Sequence, residues 1–580
     1  MTPMKSNPVR HTTARYFLEG LQEAGIKYLF SNLGTDHVTL IDEMARLQAE
    51  GQAMPVVVLC PHENVAIHMA AGYAAVTGQG QGVLVHVDAG TANAAMGMHN
   101  LMRARLPVML MAGKAPYALH GEVAGARDNY VHYVQDPFDM GSLVRPYVKW
   151  EYNLPSGVVA KEVVRRAHSV MHTEPAGPVY MTLPRETLIE NWAPEEVKSY
   201  SAERFGPARM GALPSEATQQ IAKELMASEN PLIITSYLGR KPEAVRALQA
   251  LAELCGIRVV EFSPSWLCIP RTSPCFFGFD PTPLLPDTDW GLLLDIDVPW
   301  LPHQTRPRED TRWVHIDVDP IKKDFPVWGF ASDVRWPADC ALALRDIHQA
   351  VLSLSDNVYR EKVATRMARW APLHMQRQSR AVAAALEPGL DDALNPAWFC
   401  AQLGAQLRPN DVVVNEAIRN SPAVLQQIER TEPLSFLGGA GGGLGYSGGM
   451  ALGVKLARPN DRVVHIEGDG GFHFSTPTSV YAVAQSQGLP IFSVVLDNGG
   501  WQAVKEAVLR VHPDGPAAKI DNFQARLQGE KRHFEEVAKA FGAHGERVTR
   551  AHEVPAAIAR CLKAVDEGQA ALLVVSVTKI

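Results

Sequence analysis

At 580 residues the chain has room for about three domains of roughly 100–200 residues each, and its 46% hydrophobic and 20% charged content can build a core in each of them. The net charge of −7 mixes both signs. No basic stripe points to nucleic acid, no basic amphipathic helix points to a membrane surface, and no apolar run approaches the ~18 residues of a bilayer span. Cys60, Cys255, Cys268, Cys275, Cys340, Cys400 and Cys561 are odd in number and form no CxxC pair, so neither a disulfide framework nor a zinc site is indicated. The N-terminal stretch lacks the apolar core of a signal peptide, and a cytoplasmic location is expected.

In chain order, short β-branched runs alternate with Ala-rich helical stretches, the pattern of an α/β fold with mainly parallel sheets. Met54–Leu59, Gly82–Val87 and Leu106–Ala112 read as buried strands, with a crossover helix over His62–Gly78 and a closing strand in Gly177–Glu186. Ala193–Ala217, polar and Pro-containing, reads as a linker. A second block carries strands in Pro231–Ser236, Ile257–Phe262, Trp290–Asp297 and Arg312–Pro320, and a helix with a Gly stop over Lys241–Gly256. A third block opens near Asn395. It holds a strand at Asp411–Glu416, a Gly-rich segment Gly438–Gly449, strands at Val463–Glu467 and Ile491–Asp497, and a last strand in Ala571–Thr578. The expectation is three domains, each a parallel sheet flanked by helices, over residues 1–190, 205–365 and 385–580.

The strand Val463–Glu467 runs into Gly468, Asp469, Gly470 and Gly471. Ligands of open parallel sheets bind at the carboxyl ends of strands. Glycines allow positive φ and close approach of backbone N–H groups to a phosphate, and a bare Asp suits Mg²⁺, which prefers hard oxygen ligands shared with phosphates. By itself this stretch is equally an Asp in a tight turn. Asn498 follows Asp469 by 29 positions, with one helix and its turn between. That is one strand–helix–strand unit, so both polar strand ends emerge side by side. The Asn498 side-chain carbonyl and the Gly499–Gly500 backbone complete half of a Mg²⁺ octahedron.

A GDG turn followed one such unit later by an Asn is the motif of thiamine diphosphate enzymes. This chain resembles the acetolactate synthase, benzoylformate decarboxylase and pyruvate decarboxylase superfamily, with Asp497-Asn498 where many relatives have two asparagines. The resemblance extends across all three blocks and implies a pyrimidine-binding, a central and a diphosphate-binding domain. It implies cofactor contacts from Gly438, Gly442, Leu444, Gly468, Asp469, Gly470, Gly471, Asn498, Gly500, Trp501 and Asn93. Leu444 falls on the apolar residue that wedges under the cofactor. Mg²⁺ is assigned to Asp469, Asn498 and Gly500. Glu63 falls on the glutamate that shares a proton with the aminopyrimidine; as a residue alone, it is also a carboxylate favoured near a helix N-terminus. A nicotinamide dinucleotide site is the alternative for the glycines, but no well-placed GxGxxG with a following acid supports it.

His86 lies 23 positions after Glu63, where benzoylformate decarboxylase-like members carry a catalytic His able to move protons near neutral pH; the alternative is a solvent-facing His at a strand end. Thr35, Asp36 and His37 fall in a loop that would line the substrate entrance, and Asp36 sits awkwardly beside an anionic substrate unless it pairs with His37. Gln135 is the expected active-site amide. Trp300 and His303 either reach the site or are ordinary loop residues. The implied activity is thiamine diphosphate- and Mg²⁺-dependent decarboxylation of a 2-oxo acid, or carboligation of the product. Acetolactate synthase-like transfer and 2-hydroxyacyl lysis are the alternatives. FAD is not expected, since the central block shows no Gly-rich or Arg signal for it. The resemblance implies a homodimer or homotetramer with active sites between subunits; neither nucleic acid nor membrane is an expected partner. Trp501 and the helix after it are expected to cover the substrate.

Overall fold

The computed structural model describes residues 9–527 and 532–579, so the first eight residues of the stretch read for a signal lie outside the described residues. The chain divides into two compact units. One comprises Met1–Arg209, Ala440–Arg458 and Ser475–Leu489; the other comprises Met210–Gly439, Pro459–Phe474 and Pro490–Ile580.

The first unit is built on a six-stranded parallel sheet. Its strands are β1 (Tyr28–Ser31), β2 (Val56–Leu59), β3 (Gln81–Val85), β4 (Val108–Lys114), β5 (Glu151–Asn153) and β6 (Val179–Pro184), in the order β2-β1-β3-β4-β6-β5. Residues of β3, β4 and β6 are buried almost throughout, as apolar strands covered on both faces must be. Met54–Leu59 does not form a buried strand: β2 is the sheet edge, and Val56 and Leu59 are exposed. Helix α1 (Glu63–Thr77) follows β2. The His62 side chain caps its start by accepting from Asn64 N at 3.0 Å, and Gly78, at φ 68°, ends it. Helix α2 (Val87–Ala104) follows β3.

Two helices from late in the chain, α3 (Ser447–Ala457) and α5 (Pro477–Gln487), belong to this first unit; α4 (Asp469–Phe474), between them in sequence, belongs to the second. Helices α1 and α3 pack backbone to backbone. A Cβ on Gly72 would stand 2.0 Å from the Met450 carbonyl oxygen, and one on Gly453 2.0 Å from that of Met69. Glycine is thus required on both helices.

The second unit holds two parallel sheets. The central one has strands β7 (Pro231–Thr235), β8 (Arg258–Glu261), β9 (Trp290–Leu294), β10 (Arg312–Asp317) and β11 (Val334–Pro337) in the order β8-β7-β9-β10-β11. The other has β12 (Val412–Glu416), β13 (Phe436–Gly438), β14 (Val463–Gly468), β15 (Phe492–Asp497), β16 (His544–Val548) and β17 (Ala571–Ser576) in the order β13-β12-β14-β15-β17-β16. Position for position this is the order of β1–β6. Each functional segment described below follows the carboxyl end of a strand in one of these two six-stranded sheets, where ligands of such folds bind.

Candidate active site

In the first unit, Glu63 is the first residue of α1 and is buried. Its Oε2 accepts from Asn93 Nδ2 at 3.0 Å, and its Oε1 lies 3.3 Å from where a Cβ on Gly90 would stand. The stretch around Asn93 forms the first turns of α2. Helical spacing brings Gly90 and Asn93, three residues apart, to one face against Glu63.

His86 caps α2 at the end of β3. Its Nδ1 lies 2.5 Å from Asp36 Oδ1, and its Nε2 lies 3.0 Å from Gln135 Oε1. The structure thus brings Gln135 to His86, while Thr35 has its hydroxyl 3.3 Å from His132 Nε2. His37 is fully buried, with Nδ1 accepting from Gly34 N at 3.0 Å; the turn that leads into the next helix folds its ring inward, so, contrary to expectation, it lines no entrance. Asp36 is buried too and pairs chiefly with His86 rather than His37, whose Nε2 is 3.4 Å away. Burial pulls the His37 pKa down, whereas the hydrogen bond to Asp36 carries that of His86 up, against the opposing effect of burial.

The Gly-rich segment after β13 is clamped by residues the sequence did not single out. His99 Nε2 lies 2.6 Å from Gly441 O, Asn100 bonds both the N–H and the C=O of Gly443 at 3.0 Å, and Asn64 Nδ2 donates to Gly445 O at 2.9 Å. A Cβ on Gly441 would meet Asn100 Oδ1 at 2.4 Å, so glycine lets this backbone lie against α2. Gly442 turns at φ 81°, and Leu444 is half-buried beside it. Gly438, in the second unit, has a packing reason of its own: a Cβ there would stand 2.4 Å from the Pro264 carbonyl oxygen.

In the second unit, β14 ends at Gly468 and α4 starts directly at Asp469. Gly468, Gly470 and Gly471 do not have positive φ, contrary to the reason expected for them. Gly470 is small because the Trp501 indole crosses it: a Cβ would lie 2.7 Å from Nε1. Positive φ occurs instead at Gly499 (88°) and Gly500 (154°). That turn lets Gly499 N donate to Asp469 Oδ2 at 3.0 Å and Gly500 N to Asn498 Oδ1 at 3.1 Å. Burial first, and then the nearby Asp497 carboxylate, push the Asp469 pKa up. Asp497 is itself desolvated, but hydrogen bonds from Arg547 (3.0 Å) and Arg532 (2.5 Å) outweigh that and hold it below the usual range. Sequence reasoning missed both arginines, which lie 35 and 50 positions downstream of Asp497. The helix Gln502–Val511 (α6) after Trp501 buries none of its residues. Trp300 is core, packed on Trp313 and Phe330, while His303 is exposed.

Comparison with known proteins accords with this arrangement. The N-terminal thiamine pyrophosphate enzyme domain (TPP binding) matches residues 11–142, and the C-terminal TPP binding domain matches residues 420–575. The chain belongs to the thiamine diphosphate-dependent enzymes. Benzoylformate decarboxylase of Pseudomonas aeruginosa is 25% identical to this enzyme over 568 residues, covering 94% of this chain and 96% of that protein. The acetolactate synthase large subunit of Haemophilus influenzae is 22% identical over 509 residues, covering 85% and 83%. In fold, the enzyme is similar to the thiamine diphosphate-dependent 4-hydroxybenzoylformate decarboxylase of Rhodococcus jostii RHA1, with a TM-score of 0.77, 21% identity and 98% and 99% coverage. Benzoylformate decarboxylase from Polynucleobacter necessarius gives a TM-score of 0.78 at 19% identity, covering 98% and 99%.

The residues present fit the cofactor. Buried Asp469 and Asp497 stand at adjacent strand ends, and the buried carboxylate of Glu467 has no hydrogen-bond partner among the described residues. Arg532 and Arg547 offset the charge of Asp497, and Arg532 lies 3.9 Å from Asp469; the remaining hard oxygen donors are of the kind that suits Mg²⁺. In the first unit, the Gly90 gap leaves one face of the Glu63 carboxyl open.

Proposed function

We propose that the enzyme decarboxylates a 2-oxo acid other than pyruvate in the manner of a benzoylformate decarboxylase, with thiamine diphosphate and Mg²⁺. The observation that carries this reading is His86, an imidazole held between Asp36 and Gln135. Thiamine diphosphate, when bound, supplies the nucleophilic carbon and the electron sink for loss of CO₂. Asp469, the Asn498 side-chain carbonyl and the Gly500 backbone carbonyl would hold Mg²⁺ and through it the diphosphate; Glu63, braced by Asn93, would hold a proton at the pyrimidine. Thr35 is suited to bind the substrate carboxylate through its hydroxyl. His86 Nε2 is suited to deliver or remove a proton at the reacting substrate, a role worth about 10²–10⁴ in rate.

FAD is not part of this reading. Near the carboxyl ends of β7, β9 and β10, where ligands of such sheets bind, the structure places Lys322. Its buried ammonium contacts Tyr237 Oη at 2.7 Å, Asp317 Oδ2 at 2.7 Å and Asp297 Oδ1 at 2.8 Å. A homodimer or homotetramer is supported by bare apolar side chains on the segment after β4, among them Tyr130 at 80% exposure and the wholly exposed Phe138. A cytoplasmic setting is supported by seven cysteines, all buried and unpaired. A CO₂-release screen of the Mg²⁺-loaded enzyme over aliphatic, aromatic and CoA-linked 2-oxo acids tests the proposal. Turnover of an aromatic or branched 2-oxo acid is expected. Acetolactate formed from pyruvate by a yellow, flavin-bearing protein would contradict it.

A further inference from the structure

The loop Gly34–His37 does more than present a hydroxyl. Asp36 is buried, and its two oxygens are both engaged: Oδ1 is 2.5 Å from His86 Nδ1, and Oδ2 accepts from Val87 N at 3.3 Å. His37 supports it from behind. Because its Nδ1 accepts from Gly34 N, its proton sits on Nε2, 3.4 Å from Asp36 Oδ2. The backbone is cut to fit this pairing. A Cβ on Gly34 would stand 2.0 Å from His86 Nδ1, and one on Gly113, in β4, 1.5 Å from Asp36 Oδ2. Val87, β-branched and next to His86, is forced to φ 41°, a conformation kept only where the surroundings over-determine it.

The other edge of the His86 ring faces an acceptor as well, Gln135 Oε1 at 3.0 Å. With the carboxylate on one nitrogen and the amide oxygen turned to the other, both acceptors are satisfied by an imidazole with two N–H groups. A second imidazole is set up in the opposite sense. His132 Nε2 lies 3.3 Å from Thr35 Oγ1, and its Nδ1 accepts from Asp128 N at 3.4 Å with Asp128 Oδ1 also 3.3 Å away. Asp128 is committed to Arg185 at 2.8 and 3.0 Å, and burial, then Arg185, pull the His132 pKa down. Two imidazoles with opposed environments on either side of one loop are the pattern of a divided acid and base.

We propose that Asp36 is a positioning residue: it fixes the ring of His86 and keeps it doubly protonated, so that the Nε2–H beside Gln135 is the proton supplied to the substrate, while neutral His132 orients the Thr35 hydroxyl. This rests on the reading of His86 as the proton carrier. The charged groups around His86 are Asp36 and, behind it, His37; Asp88 on its own helix; and His132 across Thr35. Glu63 faces the same helix further along, at Gly90 and Asn93. The hydrogen bond to Asp36, with Gln135 and Asp88 adding to it, favours the cation and outweighs burial. Proton-donor activity therefore persists upward in pH and is lost as pH rises through the elevated His86 midpoint.

The test is ring-nitrogen NMR of the full-length enzyme labelled with ¹⁵N-histidine, titrated with pH and assigned through His86→Gln. The wild type is expected to carry a His86 cation at pH 7. In Asp36→Asn the midpoint is expected to fall by about one pH unit or more. In the same variant kcat should fall on the order of 100-fold, with its alkaline limb moved to lower pH and KM and thiamine diphosphate affinity held within about twofold. Gly113→Ala, which drives a methyl into Asp36 without changing charge, should shift the same resonance the same way and serves if Asp36→Asn does not fold. A neutral His86 in the wild type, or an unmoved titration in a folded variant, overturns the role of Asp36. Full turnover by His86→Ala would instead overturn the reading of His86 itself, whatever the titration gives.

Discussion

The sheets β1–β6 and β12–β17 share one strand order, yet their strand ends carry different chemistry. The third strand of one is followed by His86, and that of the other by Asp469. The second strand of one is followed by Glu63, and that of the other by a glycine turn. The fourth strand ends at Gly113-Lys114 in one and at Asp497-Asn498 in the other. Identical topology delivers both sets to the carboxyl edge; on the proposed reading, the residues placed there would make one edge handle protons and the other hold a cation and phosphates. Backbone architecture fixes where chemistry occurs, and a few side chains fix which chemistry it is.

Substitutions at equivalent strand ends should therefore fail in different ways. Glu63→Gln should cost the most, on the order of 10²–10⁴ in kcat, with cofactor affinity preserved, as measured by turnover and by calorimetric titration with thiamine diphosphate. Asp469→Ala should follow. Its loss should be in Mg²⁺-dependent binding, at least about tenfold, read as a smaller rise in melting temperature on adding Mg²⁺ and thiamine diphosphate. Gly72→Ala at the α1–α3 contact should leave the chemistry intact but lower stability by about 1–3 kcal/mol, measured by denaturant titration. Arg185→Lys should be mildest, below about 1 kcal/mol, because its partner Asp128 is largely exposed. Arg185 holds the Asp128 pKa down, so the stability it adds is present above the ordinary carboxylate range and is lost as pH falls through the lowered value.

The sequence made the apolar interior strands and the glycine–aspartate turn legible, because burial on both faces leaves uninterrupted β-branched runs. The short polar edge strands β5, β11 and β16 escaped it, since an edge tolerates the charged residues that mask a strand pattern. The site was read in part. Motif spacing singled out Glu63, His86, Asp469 and Asn498 as candidates. It could not find Asn64, His99 and Asn100 gripping the glycine segment more than 340 positions away, nor Arg532 and Arg547 on Asp497, because such pairings are properties of the fold and leave no local signal. His37 is expected at the entrance because it shares a loop with Thr35; the structure exposes Thr35 but buries His37.

The division of labour between the two edges is tested most directly by measuring, side by side in Glu63→Gln and Asp469→Ala, thiamine diphosphate affinity and hydrogen–deuterium exchange at the cofactor's C2. A crossed result is expected. Glu63→Gln should bind the cofactor as the wild type does and lose exchange; Asp469→Ala should bind weakly and regain exchange at saturating cofactor and Mg²⁺. Loss of both properties together in both folded variants, or wild-type exchange in Glu63→Gln, would contradict it.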